Sequence, residues 1–154
     1  MSLAVTKNKI PAMTDQAVER VKQLENVLMA FPQVAVDTDH VLHGSMYART
    51  IKMPKGMVLS GALIKVPTML IIDGHCRVFV GNDAMDVSGH TVLAASANRK
   101  QAFLAFEDTT MTMIFHTDAD SIQAAEMEFT DEYESLQSNK DGNHNTVMIT
   151  GEKR

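Results

Sequence analysis

Tryptophan is absent from these 154 residues, tyrosine occurs twice and cysteine once. A core without Trp has to be filled by smaller or more flexible groups, and the 12 methionines are the evident supply. One cysteine, Cys76, excludes an intramolecular disulfide, which fits a reducing compartment. The longest apolar run, around Met69 to Ile72, is far too short to cross a bilayer, and Met1 to Lys9 has no apolar centre of signal-peptide length. A soluble chain without a membrane partner is expected. Basic clustering is also missing. The formal net charge is −5, and Lys7, Arg20, Lys52, Lys65, Arg77, Arg99 and Lys100 are scattered, so nothing attracts a phosphate backbone and no nucleic acid is expected. The sequence contains no nucleophile elbow, no phosphate-cradling glycine loop, and no His-x-His or His-x-x-x-His pair. Cys76 follows a histidine with no sign of activation and reads as a small, half-buried residue.

What is present divides the chain into four segments around one core. Residues 1–33 hold a flexible arm to Met13 and an amphipathic helix, capped by Thr14 with Asp15 in its first turn. Val18, Val21, Leu24 and Leu28 form its apolar stripe, and Pro32 lies beyond its end. That stripe packs either on the chain's own barrel or on a neighbouring subunit. Residues 34–117 carry short period-two runs separated by turn residues, the pattern of a sandwich or barrel. Strands are predicted near Met46 to Met53, Met57 to Lys65, Thr68 to Ile72, Arg77 to Gly81, Ala84 to Val87, Thr91 to Ala95, Gln101 to Phe106 and Thr110 to His116. The turns between them include Pro54-Lys55-Gly56, Asp73-Gly74, Gly81-Asn82-Asp83, Ser88-Gly89 and Ala97-Asn98. Residues 118–136 read as an acidic helix opened by Asp118 or Asp120. Its apolar face is Ile122, Ala125, Phe129, Tyr133 and Leu136, and Glu126, Glu128, Asp131, Glu132 and Glu134 make a solvated face. Residues 137–154 form a polar, mobile tail in which only Val147 to Ile149 suggest a further strand.

Arg49 is the most informative candidate for a site. Alternation on Met46 to Met53 sets Met46, Ala48, Thr50 and Lys52 on a wet face and Tyr47, Arg49, Ile51 and Met53 on the interior. A buried guanidinium keeps its charge and needs an anion. Two readings stand: an internal ion pair with Glu107 or Asp108, or an anchor for a carboxylate or phosphate ligand. Tyr47 lies on the same face and can donate a hydrogen bond beside Arg49, and His40, His116 and Glu107 complete the candidate ligand-binding set. The best grouping for a metal is Asp39, His40 and His43, close in sequence but without the spacing that puts two imidazoles on one face. No cofactor is expected, and a divalent metal is the weaker alternative.

The layout of Ile51 to Gly74, with corners at Met53-Pro54-Lys55-Gly56 and Asp73-Gly74, resembles the first half of a cupin barrel. The resemblance implies an all-β, cupin-like jelly-roll barrel with an N-terminal and a C-terminal flanking helix. The cupin metal motif is missing. Counting back from Gly74 puts Ser60, Ala62 and Pro67 at the ligand places, and counting forward from Gly56 puts Ala62, Ile64 and Met69 there. A second likeness rests on the order of short motifs: Phe31-Pro32-Gln33, His40, Tyr47-Ala48-Arg49, Pro54-x-Gly56, Gly61, Gly74, Arg99-Lys100, Glu107-Asp108-Thr109, His116-Thr117-Asp118 and Glu126-Met127-Glu128-Phe129. This order is similar to small cupin-like proteins of tailed bacteriophages and prophages. It implies a phage-encoded binding or assembly module, non-catalytic, homo-oligomeric, and acting in the host bacterial cytoplasm on a small anionic ligand or on a phage or host protein. Two alternatives stay open. One is a metal-independent enzyme of isomerase or epimerase type on a sugar or carboxylate, with Tyr47 or His116 as proton donor, since cupin-like sugar epimerases use a His and Tyr pair. The other is a structural virion component.

Overall fold

The computed structural model describes residues 8–80, 83–140 and 142–154. The first seven residues of the expected arm, the corner residues Gly81 and Asn82, and Asp141 lie outside the described residues.

The described part of the expected arm, residues 8–13, does not hang free. Lys9–Ile10 (β1) pairs parallel with the last residues of Asp83–Ala95 (β6), and Ile10 is fully buried. Two residues are too few to show a period, so no alternation announces this strand. Asp15–Leu28 (α1) follows, with Thr14 Oγ1 accepting from the Ala17 amide at 3.1 Å. Of its stripe Val21 is buried, while Val18, Leu24 and Leu28 are half-buried against the barrel of the same chain.

The barrel strands are Thr38–His43 (β2), Met46–Met53 (β3), Val58–Ser60 (β4), Thr68–Val80 (β5), β6, Ala102–Ala105 (β7) and Thr109–His116 (β8), with Asn145–Ile149 (β9) added from the tail. Their order is β1-β6-β5-β8-β3-β2-β9, and β7 joins β5 to β4. β5 and β6 pair along their whole length with Gly74 opposite Gly89. The turns expected at Asp73-Gly74 and Ser88-Gly89 are therefore bends inside two long strands, and four expected strands are two. Gly74 is where β5 changes partner: residues 69–73 pair with β8, and residues 76–79 pair with β7. This change of partner folds the strands into two facing sheets around one core, an all-β jelly-roll barrel with flanking helices.

Rings as well as thioethers fill that core. Met53, Met111 and Met113 are buried, but so are Tyr47, Phe103, Phe115 and Phe129, with Tyr47 edge-on to Phe115 at 5.6 Å. Met46, Met69, Met127 and Met148 are exposed.

The C-terminal third departs most from expectation. Ile122–Phe129 (α2) is capped by Ser121, whose Oγ accepts from the Ala124 amide at 3.1 Å, rather than by Asp118 or Asp120. A 3-10 turn at Tyr133–Ser135 replaces its expected last turns. Glu126, expected on a solvated face, is 2% exposed. The tail is held rather than mobile: β9 pairs parallel with β2, and the amides of Thr38 and Thr150 donate to the carbonyls of His144 and Leu42 at the two ends of the ladder. Every residue of β9 is exposed. Backbone hydrogen bonds at a sheet edge and the Asn145 side chain, not an apolar face, hold it, and the short run Val147 to Ile149 was its only sign in the sequence.

Candidate functional site

Strand β3 has the predicted parity, with Tyr47, Arg49 and Met53 inside. The partner of Arg49 is not the predicted one. Register sets Arg49 opposite Met113, and Glu107 lies six residues further along that strand direction, roughly 20 Å away at the rise of a β-strand. Glu107 and Asp108 are exposed, and Asp108 Oδ1 accepts from the Lys55 amide at 2.8 Å. Arg49 Nη1 instead donates to Glu126 Oε2 at 2.9 Å and to Ser138 Oγ at 3.1 Å.

These groups belong to a closed circuit. Asn145 Nδ2 donates to the Ser138 carbonyl at 2.8 Å, which turns Asn145 Oδ1 toward His40 Nε2 at 2.7 Å. Nε2 therefore carries the proton, and Nδ1 accepts from the Tyr47 hydroxyl at 2.7 Å. Arg49 Nη1 donates to the Tyr47 oxygen at 3.4 Å, and Ser138 Oγ donates to Glu126 Oε2 at 2.5 Å, closing the ring. The circuit joins β2, β3, α2, the turn at Gln137–Asn139 and β9. Burial pushes the Tyr47 hydroxyl up to about 12 and holds His40 below its ordinary 6.5. Folded His40 thus resists a proton that the unfolded chain takes up. Stability rises with pH between the folded and unfolded pKa values of His40, is complete above about 6.5, and falls as pH drops below it. Urea midpoints at about pH 8 and pH 5 should show this loss on acidification, and His40→Gln should lack the His40-dependent part; equal slopes in both proteins would contradict it.

The remaining candidates lie apart. His116 is the outward residue at the end of β8, exposed, with Nδ1–H donating to the Ser45 carbonyl at 3.0 Å. On β2, alternation turns His40 inward and leaves Asp39 half-buried and His43 exposed on the other face, so the three do not share an ion. His43 Nδ1 meets Thr150 Oγ1 at 2.7 Å, and Asp39 Oδ2 lies 4.0 Å from Lys52 Nζ. No group of three potential metal ligands occurs among the described residues. Cys76 is fully buried rather than half-buried, and burial raises its thiol, the opposite of activation.

A cavity of about 400 Å³ lies between the sheets, with α1 along its rim. Ile51, Leu59, Leu70, Phe103, Met111 and Met113 wall it, and Arg49 is the only member of the circuit's His40–Tyr47–Arg49 trio that reaches it. Its polar side is Arg99-Lys100-Gln101, three consecutive residues 2%, 1% and 5% exposed. Asn98, at φ +61, turns the chain into this segment. The Ile64 and Gly61 amides then pin it, donating to the carbonyls of Arg99 and Gln101 at 2.8 Å each. Lys100 Nζ sits 3.1 Å from Glu25 of α1 and 3.2 Å from Glu132, and donates to the Gly61 carbonyl at 2.9 Å. Burial lowers Arg99 to about 10, which still leaves it charged at neutral pH. Sequence reasoning placed Arg99 and Lys100 among scattered surface charges and passed over Gln101. The only local signal was the Asn98 turn directly before three polar residues and an apolar strand.

No family model matches the chain, and no curated protein shows significant similarity to it. Among solved structures, it is similar to a cupin superfamily protein from Desulfitobacterium hafniense (14% identity, TM-score 0.46, 75% of this chain and 100% of that one). It is also similar to KdgF from a Halomonas species (16% identity, TM-score 0.47, 58% and 87%). A third is a variant of salicylate 1,2-dioxygenase from Pseudoaminobacter salicylatoxidans (9% identity, TM-score 0.49, 73% and 36%). At these identities and TM-scores the similarities say nothing of ligand or activity, which are read from the site itself.

Proposed function

We propose that this chain is a non-catalytic small-molecule-binding module whose ligand site is the cavity between the two sheets. One observation carries the reading: a volume of about 400 Å³ with apolar walls and a short buried polar side, the ordinary form of a small-ligand site. An isomerase-type mechanism on the residues first considered finds little support, because His40 and Tyr47 are committed to the circuit and His116 is outside the barrel. Ala62 lines the cavity and is half-buried, so Ala62→Phe should fill it. Native mass spectrometry on gently purified protein should find a small-molecule adduct on each wild-type chain and none on Ala62→Phe. An adduct on both, or on neither, would argue against the cavity.

The same spectrum reports subunit number. Self-association is part of the proposal, supported by Met46, Met69 and Val92 exposed on the outward sides of β3, β5 and β6. The order of short sequence motifs supports a phage or prophage origin and action in the host bacterium. Phage genes on both sides of the coding sequence would agree with that origin, and a purely chromosomal neighbourhood would not.

A further inference from the structure

One buried cation at the cavity, Arg99, makes no ion pair among the described residues. Arg99 donates from Nε to Gln101 Oε1 at 3.3 Å, from Nη1 to the Ser96 carbonyl at 2.7 Å and from Nη2 to Thr68 Oγ1 at 2.6 Å. All three acceptors are neutral, and among the described residues no carboxylate makes an ion pair with it. Five N–H groups are carried by a guanidinium, so one on each Nη remains. Gln101 adds a third donor. Its Oε1 faces Arg99 Nε, which turns Nε2 the other way, and Nε2 is buried with no acceptor. The neighbouring cations differ: Arg49 is paired with Glu126, and Lys100 lies against two carboxylates, Glu25 and Glu132, a group with one net negative charge.

Resting on the cavity reading above, we propose that Arg99 and Gln101 anchor the carboxylate of a monoanionic ligand whose apolar body lies against Leu59, Leu70, Phe103, Met111 and Met113. A planar carboxylate matches the remaining fork of N–H groups, and the Gln101 amide supplies a further donor to it. Arg99 has no carboxylate in direct contact among the described residues and can pair with one negative charge. A dianion would leave charge over, facing Glu25 and Glu132 at the same cavity.

The test is calorimetry on the full chain with three probes: octanoate, octanamide and inorganic phosphate. Octanoate should bind one per chain, octanamide at least tenfold more weakly, and phosphate not measurably. Gln101→Glu puts a carboxylate beside Arg99, so the unliganded variant should melt at a higher temperature than wild type and bind octanoate at least tenfold more weakly. Equal affinity for octanoate and octanamide would overturn the anchor and leave the cavity reading standing. Failure of both to bind would remove the cavity reading and the anchor with it. Phosphate binding as tightly as octanoate would overturn the amphipathic ligand. The three-probe comparison on the wild type decides between these even if the variant does not fold.

Discussion

Glu126→Ala should lower the free energy of unfolding by about 3–5 kcal/mol, the usual consequence of stranding one member of a buried ion pair. Arg49 and Glu126 are 9% and 2% exposed and meet at 2.9 Å. With the carboxylate gone, the guanidinium keeps its charge and retains the Ser138 hydroxyl, the long contact to Tyr47 and the face of the Phe129 ring at 5.7 Å. Ser138 also loses the acceptor that ties the turn at Gln137–Asn139 to α2. Much of the loss should return in the double variant Arg49→Met with Glu126→Leu, because removing both charges also removes the desolvation that opposes burial. Urea unfolding of wild type, single and double variants checks this. A loss below about 1 kcal/mol in Glu126→Ala would mean a solvated pair, as at a surface.

Gly74→Ala should cost on the order of 3 kcal/mol, from backbone strain and overpacking together. Gly74 has φ +138, which L side chains rarely adopt, and a Cβ there would lie 2.5 Å from Thr109 Oγ1 and 2.8 Å from both the Asp108 carbonyl oxygen and Thr109 Cα. Two of these three atoms are backbone. The side-chain atom is held too, because Thr109 Oγ1 accepts from the His75 amide and donates to the Glu107 carbonyl. The sheets turn at this point, so the residue has no easy way to give. Gly89→Ala is the control: it lies opposite Gly74 with no atom near its Cβ position, and carries only the strain of φ +76. Equal losses for the two would contradict the close approach at Gly74.

The two glycines also show what alternation does and does not reveal. Period-two patterning found the inward residues of β3 correctly, because one face packs on the core and the other meets water. It could not tell a bend from a turn, since Asp-Gly and Ser-Gly mark either, and so it cut β5 and β6 in two. Patterning was silent at the two-residue β1, and at β9 it marked only Val147 to Ile149 of a strand that begins at Asn145. The acidic run misled for a different reason. Composition makes Glu126 look solvated, and only a buried Arg49 brought close by the fold makes it a core residue. Likewise Arg99 reads as a surface charge, because nothing local distinguishes a guanidinium whose neighbours are Thr68, Ser96 and Gln101. The site first sought around Tyr47, His40 and His116 is thus divided between a largely buried circuit and the outer surface, and the cavity draws its polar side from a segment that the sequence marked only as a turn, a short motif and the start of a strand.

The most direct measurement is a methyl NMR titration of methyl-labelled methionines with octanoate, since the chain carries its own reporters. Met111 and Met113 line the cavity, Met29 sits at its rim, and Met46, Met69, Met127 and Met148 are exposed elsewhere. Saturable shifts at Met111 and Met113, with Met46, Met69, Met127 and Met148 unmoved, are the predicted result. Shifts at the exposed methionines with Met111 and Met113 silent would place binding on the surface and contradict a ligand site inside the barrel.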